Sequence, residues 1–132
     1  DVVWVSNHGG RQLDHGEGTM DMLKQVMDAV DGKATVVLDG GVQRGGDIAK
    51  AVALGATAVA IGKLQGWGLA AKGQEGVKRV LEILQEELSV AMALMGVTSI
   101  DQLSPAYVTQ AEPVTDPHEM SAWANMPGGR IQ

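Results

Sequence analysis

Three short apolar runs, residues 2–6 (VVWVS), 35–38 (TVVL) and 57–61 (TAVAI), each stop at a polar or glycine-rich segment, and amphipathic stretches separate them. Unbroken β-branched runs of this length are the pattern of strands buried on both faces, as in parallel sheets. Between the first two runs, Leu23, Val26, Met27 and Val30 recur at helical spacing, with Thr19 as the expected cap and Gly32 as the expected left-handed residue past the end. A second helix is expected near 46–54, burying Ile48, Ala51 and Val52 before Gly55. The longest carries Val77, Val80, Leu81, Leu84, Leu88, Ala91, Met92 and Met95 on one stripe and Lys78, Glu82, Glu86 and Glu87 opposite, and should stop at Gly96. That stripe reads as core packing. Residues 99–103 add one short turn of helix, and the proline-rich stretch after them predicts an extended tail over 104–132.

Strand and helix in strict alternation imply an α/β fold with a parallel sheet, because each parallel connection needs a crossover. An open sheet and a barrel both satisfy that pattern. Three strands leave two edges unpaired, so neither architecture is expected to close within these residues. The apolar run beginning immediately after Asp1 fits a processed chain, a fragment or one subunit of a split protein.

Composition narrows the class. With 45% hydrophobic and 20% charged residues the 132-residue chain is globular rather than disordered. No apolar run approaches the roughly 20 residues of a membrane span, and no basic, then apolar leader precedes the first strand. A cytoplasmic location is the expectation, with membrane association left open. Without cysteine there is neither a disulfide framework nor thiolate chemistry. A net charge of −6 with scattered basic residues argues against nucleic acid.

Active sites of parallel α/β folds lie at the C-terminal ends of the strands, which here are SNHGGRQLD (6–14), DGGVQRGG (39–46) and the Gly62-Lys63 pair. The glycines of the second segment let backbone amides approach an anion ahead of a helix N-terminus; they equally suit tight strand-to-helix packing, and the Gly62-Lys63 ending tilts the reading toward phosphate. In the first segment, His8 can accept a proton near neutral pH, and the planar fork of Arg11 matches a carboxylate. His15 and His118 read as surface residues, and no spacing suggests a metal site.

SNHGGRQLD, DGGV-x-RGGDIAKAVALGA and AIGK together resemble the FMN-dependent 2-hydroxy-acid oxidoreductases, the family of glycolate oxidase, lactate oxidase and mandelate dehydrogenase, over nearly the whole chain to about Leu103. The resemblance implies that residues 1–103 are the C-terminal three βα units of a (β/α)₈ TIM barrel, incomplete without the N-terminal part. It implies FMN as cofactor and oxidation of an L-2-hydroxy acid to the 2-oxo acid. His8 would be the base and substrate contact, Arg11 the carboxylate clamp, and Ser6 a neighbour of the flavin ring. Asp39, Gly40, Gly41 and Val42 would carry the ribityl-phosphate, with Gly62 as a further phosphate contact. Where the family has arginine this chain has Gln43 and Lys63, so the phosphate would rely on backbone amides of that turn, on Lys63 and on Arg44 as a substitute cation. Other phosphate-binding barrels share the DGG turn but lack the His8 and Arg11 pairing. The implied partners are a small 2-hydroxy acid, a polypeptide or chain segment completing the barrel, and further copies in a homo-oligomer. The rival expectation is a noncatalytic, degenerate barrel subunit kept for assembly.

Overall fold

The computed structural model describes residues 1–12 and 16–110. Strand β1 (Val2–Val5) pairs in parallel with β2 (Thr35–Asp39), which pairs in parallel with β3 (Ala58–Ala60), giving the sheet order β1-β2-β3. Helix α1 (Thr19–Val30) connects β1 to β2, α2 (Gly45–Ala53) connects β2 to β3, and α3 (Lys63–Met95) follows β3.

Within these residues burial along the strands alternates, the helices covering one face of the sheet. Val3, Val5, Val36, Leu38, Val59 and Ile61 pack with Leu23 of α1 and Ala51 of α2 in one core. Their neighbours point the other way: Val2 and Trp4 are 60% and 59% exposed. The physical reason is the order of winding. Sequential neighbours joined by crossovers of one hand place successive helices on one face, as in a barrel, whereas a doubly wound sheet reverses its order and covers both. The single covered face therefore decides the question that periodicity leaves open, in favour of barrel-type βα units.

Local chemistry shifts two caps by one residue. Gly18, not Thr19, is the N-cap of α1, and the Thr19 hydroxyl instead donates to the Gly40 carbonyl at 3.2 Å. At the other end Asp31 takes the left-handed cap position at φ 48°, with Gly32 following at φ 71°; aspartate is among the few side chains that tolerate this region.

The last helix is longer than its apolar stripe suggests, beginning at Lys63 rather than near Val77. Non-helical backbone at Lys72 and Gly73 breaks it into two arms. The arms cross at Gly68 and Gly76, where a Cβ on Gly76 would run into the Gly68 carbonyl. Leu84 is buried, and Leu88, Met92 and Met95 pack on a second core of Ala49, Ala53, Val97 and Leu103. Leu81, expected in that stripe, is instead 53% exposed. On the exposed outer face the hydrogen bond to Glu86, and next that to Glu82, pushes the Arg79 pKa further up. Gly96 ends α3 at φ 74°, as expected.

Short 3-10 turns follow at Ile100–Gln102 and Pro105–Tyr107, and Val108 packs against the second core. Residues 111–132, most of the expected tail, lie outside the described residues, as do Asp14, His15 and His118. Among the described residues no helix is long and apolar enough to cross a membrane.

Candidate active site

The loop after β1 adopts a conformation that side chains ordinarily avoid. His8, Gly9 and Gly10 are consecutively left-handed, at φ 53°, 63° and 73°. For a residue with a Cβ this costs about 1–2 kcal/mol and persists only where the surroundings fix it. They do so at each step. Ser6 Oγ accepts the His8 N–H at 3.1 Å, Asn7 Oδ1 accepts the Gly9 N–H at 2.9 Å, and the Asn7 carbonyl accepts the Gly10 N–H at 3.0 Å. Asn7 Nδ2 in turn donates to the Glu17 carbonyl at 3.3 Å. From the start of α3, Lys63 Nζ donates to the Gly9 carbonyl at 2.8 Å.

The imidazole of His8 pairs through Nδ1 with Gln12 Oε1. An amide oxygen only accepts, so Nδ1 is the donor in this arrangement and Nε2 is the ring nitrogen outside it. Arg11 follows with an exposed side chain, its N–H on the His8 carbonyl at 3.3 Å.

At the end of β2, Asp39 Oδ2 accepts from Ser6 Oγ at 2.9 Å and, more weakly, from Trp4 Nε1 at 3.4 Å. These contacts join β1 to β2 on the face of the sheet that the helices leave uncovered. Beyond Asp39 the backbone turns through Gly40 and Gly41 at φ 108° and 77°. A Cβ on Gly40 would lie 3.1 Å from Asn7 Oδ1 and 3.2 Å from Thr19 Oγ1, so the turn is wedged between the loop after β1 and the head of α1. Around Gly41 and Gly62, by contrast, a Cβ would meet nothing within 4 Å. This turn and the start of α3 thus form an open backbone surface that an anion could approach.

The head of α2 is occupied by the protein's own carboxylates. Asp47 Oδ2 accepts the N–H groups of Gln43 and Arg44 at 3.1 and 3.0 Å, and Glu87 Oε2 accepts that of Gly45 at 2.8 Å. Arg44 leans the same way, with Nε 3.1 Å from Glu87 Oε2 and Nη2 2.8 Å from Glu87 Oε1. The strand ends therefore gather Ser6, His8, Arg11, Asp39, Gly40, Gly41 and Lys63, while the Arg44 guanidinium is drawn toward α3.

Trp4, Asn7 and Gln12 make contacts the sequence reading does not single out, and Thr19 and Glu87, read there only as a cap and a polar-face residue, make others. Asn7 carries a usable signal, since asparagine beside a Gly-Gly pair commonly bonds the backbone two residues on. Glu87 carries none, lying among Glu82 and Glu86 on what reads as a solvated face.

Residues 1–110 match the FMN-dependent dehydrogenase family. The chain is 52% identical over 107 residues to an L-lactate oxidase of Nostoc, covering 81% of this chain and 29% of that protein. It is 54% identical over 103 residues to 2-hydroxyacid oxidase 2 of Mus musculus, covering 78% and 29%. The fold superposes on a mandelate oxidase mutant solved with a monooxide FMN adduct, with TM-score 0.72 and 49% identity over 76% of this chain and 32% of that one. A lactate oxidase of Pediococcus acidilactici gives TM-score 0.75 and 41% identity, covering 79% and 29%. The chain thus spans about 29% of the length of these curated relatives.

Proposed function

The chain belongs to the FMN-dependent dehydrogenase family, and from that premise we propose that it supplies the base, the carboxylate clamp and part of the phosphate cradle for oxidation of an L-2-hydroxy acid to the 2-oxo acid. Relatives named for lactate, mandelate and 2-hydroxy-acid oxidation support the substrate class. The observation that carries the reading is the left-handed turn that presents His8 with Arg11 three residues on. Strain fixed by four polar contacts marks a place where position matters to function.

In this reading Arg11 binds the substrate carboxylate, fixing the acid so that its C2 hydroxyl and Cα hydrogen face a defined partner. His8 Nε2 accepts one proton as the C2–O bond becomes a carbonyl, and Nδ1–H on Gln12 Oε1 steadies the imidazolium that forms. When bound, FMN would supply the acceptor for the two electrons and for the second hydrogen that leaves the substrate. The phosphate end is assigned to Gly40, Gly41 and Val42, with Gly62 and Lys63 from the neighbouring unit, while the Gln43 N–H is already held by Asp47. Arg44 is held by Glu87 through Nε and Nη2, which leaves Nη1 alone outside that pair. Ser6 and Asp39, bonded to each other on the open sheet face, would border the ring and the ribityl chain respectively.

Anaerobic titration with L-lactate, glycolate or (S)-mandelate tests the proposal, using flavin-loaded protein in which the chain is coexpressed with the barrel segment that precedes the matched region in its relatives. Loss of the oxidised flavin absorbance with at least one of these acids, and none with its enantiomer where it has one, is expected. Unchanged absorbance with all three would sink it.

A further inference from the structure

We infer that Lys63 is a positioning residue for the His8 turn: from the start of α3 its ammonium reaches past the end of β2 and holds the Gly9 carbonyl, fixing the left-handed backbone that aims the His8 imidazole. The inference rests on the reading of His8 as the base and goes beyond it. Lys63 follows β3 directly and Gly9 follows β1, yet β1 and β3 are not neighbours; β2 lies between them. A contact of 2.8 Å between them therefore spans the width of the sheet.

The fit is close on both sides. The aliphatic stem of Lys63 lies against Gly9, where a Cβ would come within 3.2 Å of Cε and 3.3 Å of Nζ. The other contacts of the turn, from Ser6, Asn7 and Gln12, all come from the same loop. Local contacts move with the loop they hold, so the anchor from another βα unit fixes the turn against the rest of the site. Lysine suits that task because a single donor on a long stem can satisfy one carbonyl, whereas arginine's fork favours two-oxygen acceptors. Lys63 also borders the open backbone at Gly62, and an ammonium has three donors, so one N–H can hold the Gly9 carbonyl while another faces an anion bound there. Cofactor occupancy and the order of the His8 turn are thereby coupled through one side chain.

Amide hydrogen exchange of the segment 6–12, with α2 as internal reference, tests this in the wild type, Lys63→Met and Lys63→Arg, each with and without saturating FMN. Lys63→Met removes a charged donor from one carbonyl and is expected to speed exchange at Gly10 and Arg11 by about tenfold, leaving α2 unchanged. Lys63→Arg, which keeps a donor, is expected to retain most of the protection. At saturating FMN the turnover of Lys63→Met should fall more than its KM for the acid rises. Exchange in 6–12 identical for all three proteins, with full turnover regained on adding FMN, would make Lys63 a phosphate ligand alone and overturn the inference. Failure of the base reading is separate, since His8→Ala would then retain turnover while the exchange pattern of the lysine variants stays as expected.

Discussion

Glu87 holds Arg44 by both edges, with Oε2 3.1 Å from Nε and Oε1 2.8 Å from Nη2, and the same Oε2 accepts the Gly45 N–H at 2.8 Å. One carboxylate on α3 thus ties down the head of α2 and the end of the glycine turn. Because Glu87 is 26% exposed and Arg44 72%, the ion pair itself contributes only about 0–1 kcal/mol. Losing the acceptor of the Gly45 N–H adds about 1 kcal/mol. Glu87→Ala is expected to destabilise by about 1–2 kcal/mol and Glu87→Gln by less, since an amide oxygen still accepts from Gly45. Urea denaturation checks both, and equal midpoints for Ala, Gln and wild type would remove Glu87 from the support of the turn.

The two glycine-rich stretches respond oppositely to alanine. Gly40 sits at φ 108° with its missing Cβ aimed at Asn7 and Thr19, so Gly40→Ala is expected to cost about 1–3 kcal/mol and to weaken FMN binding. Gly46 lies in α2 with open space around it, and Gly46→Ala should stabilise by about 0.5–1 kcal/mol. Thermal midpoints with and without FMN test the contrast. Equal effects of the two changes would mean that the turn geometry at Gly40 is not required.

His8→Ala and Arg11→Ala should both leave the fold intact, since both side chains lie on a loop outside the two cores. The histidine change is expected to lower kcat by about 10²-fold or more, because it removes the proton acceptor. The arginine change should also raise KM for the acid, through loss of a charge-assisted pair with the carboxylate. Steady-state kinetics on flavin-loaded protein separates them, and near-normal turnover for His8→Ala would withdraw its role.

How far the sequence is legible depends on whether a signal is local. SNHGGRQLD points to a catalytic loop because its residue types rarely coincide, and the VVWV and TVVL runs locate β1 and β2 to within a residue. The first arm of α3 is hidden because Gly66 and Gly68 dilute its periodicity and the backbone breaks at Gly73; at Gly68 and Gly76 the reason is tertiary, since the arms cross closely there. Which strand face is covered follows from the winding of the helices, not from the strand residues, so Val2 and Trp4 read as core and stand exposed. Lys63 and Gly9 are 54 residues apart, and no spacing rule connects them.

The uncovered face of the sheet yields the last prediction. Val2 and Trp4 of β1 are 60% and 59% exposed, while β1 and β3 each pair with β2 alone and so present one unpaired edge. Apolar edges with little charge to blunt them pair with other chains. A polypeptide of these 132 residues by itself is therefore expected to self-associate at micromolar concentration and to retain FMN poorly. Placing a charge on the β1 edge with Val2→Lys should reduce association without restoring FMN, because the lysine blunts the edge but provides no wall for the flavin ring. Coexpression with the segment of a relative that precedes the matched region should raise FMN retention and suppress self-association together, since the same strands would pair the edges and enclose the open face. Sedimentation velocity, followed at both protein and flavin absorbance, reads both quantities. A monodisperse, flavin-loaded monomer of the 132-residue polypeptide alone would show that the open face and edges need no such cover.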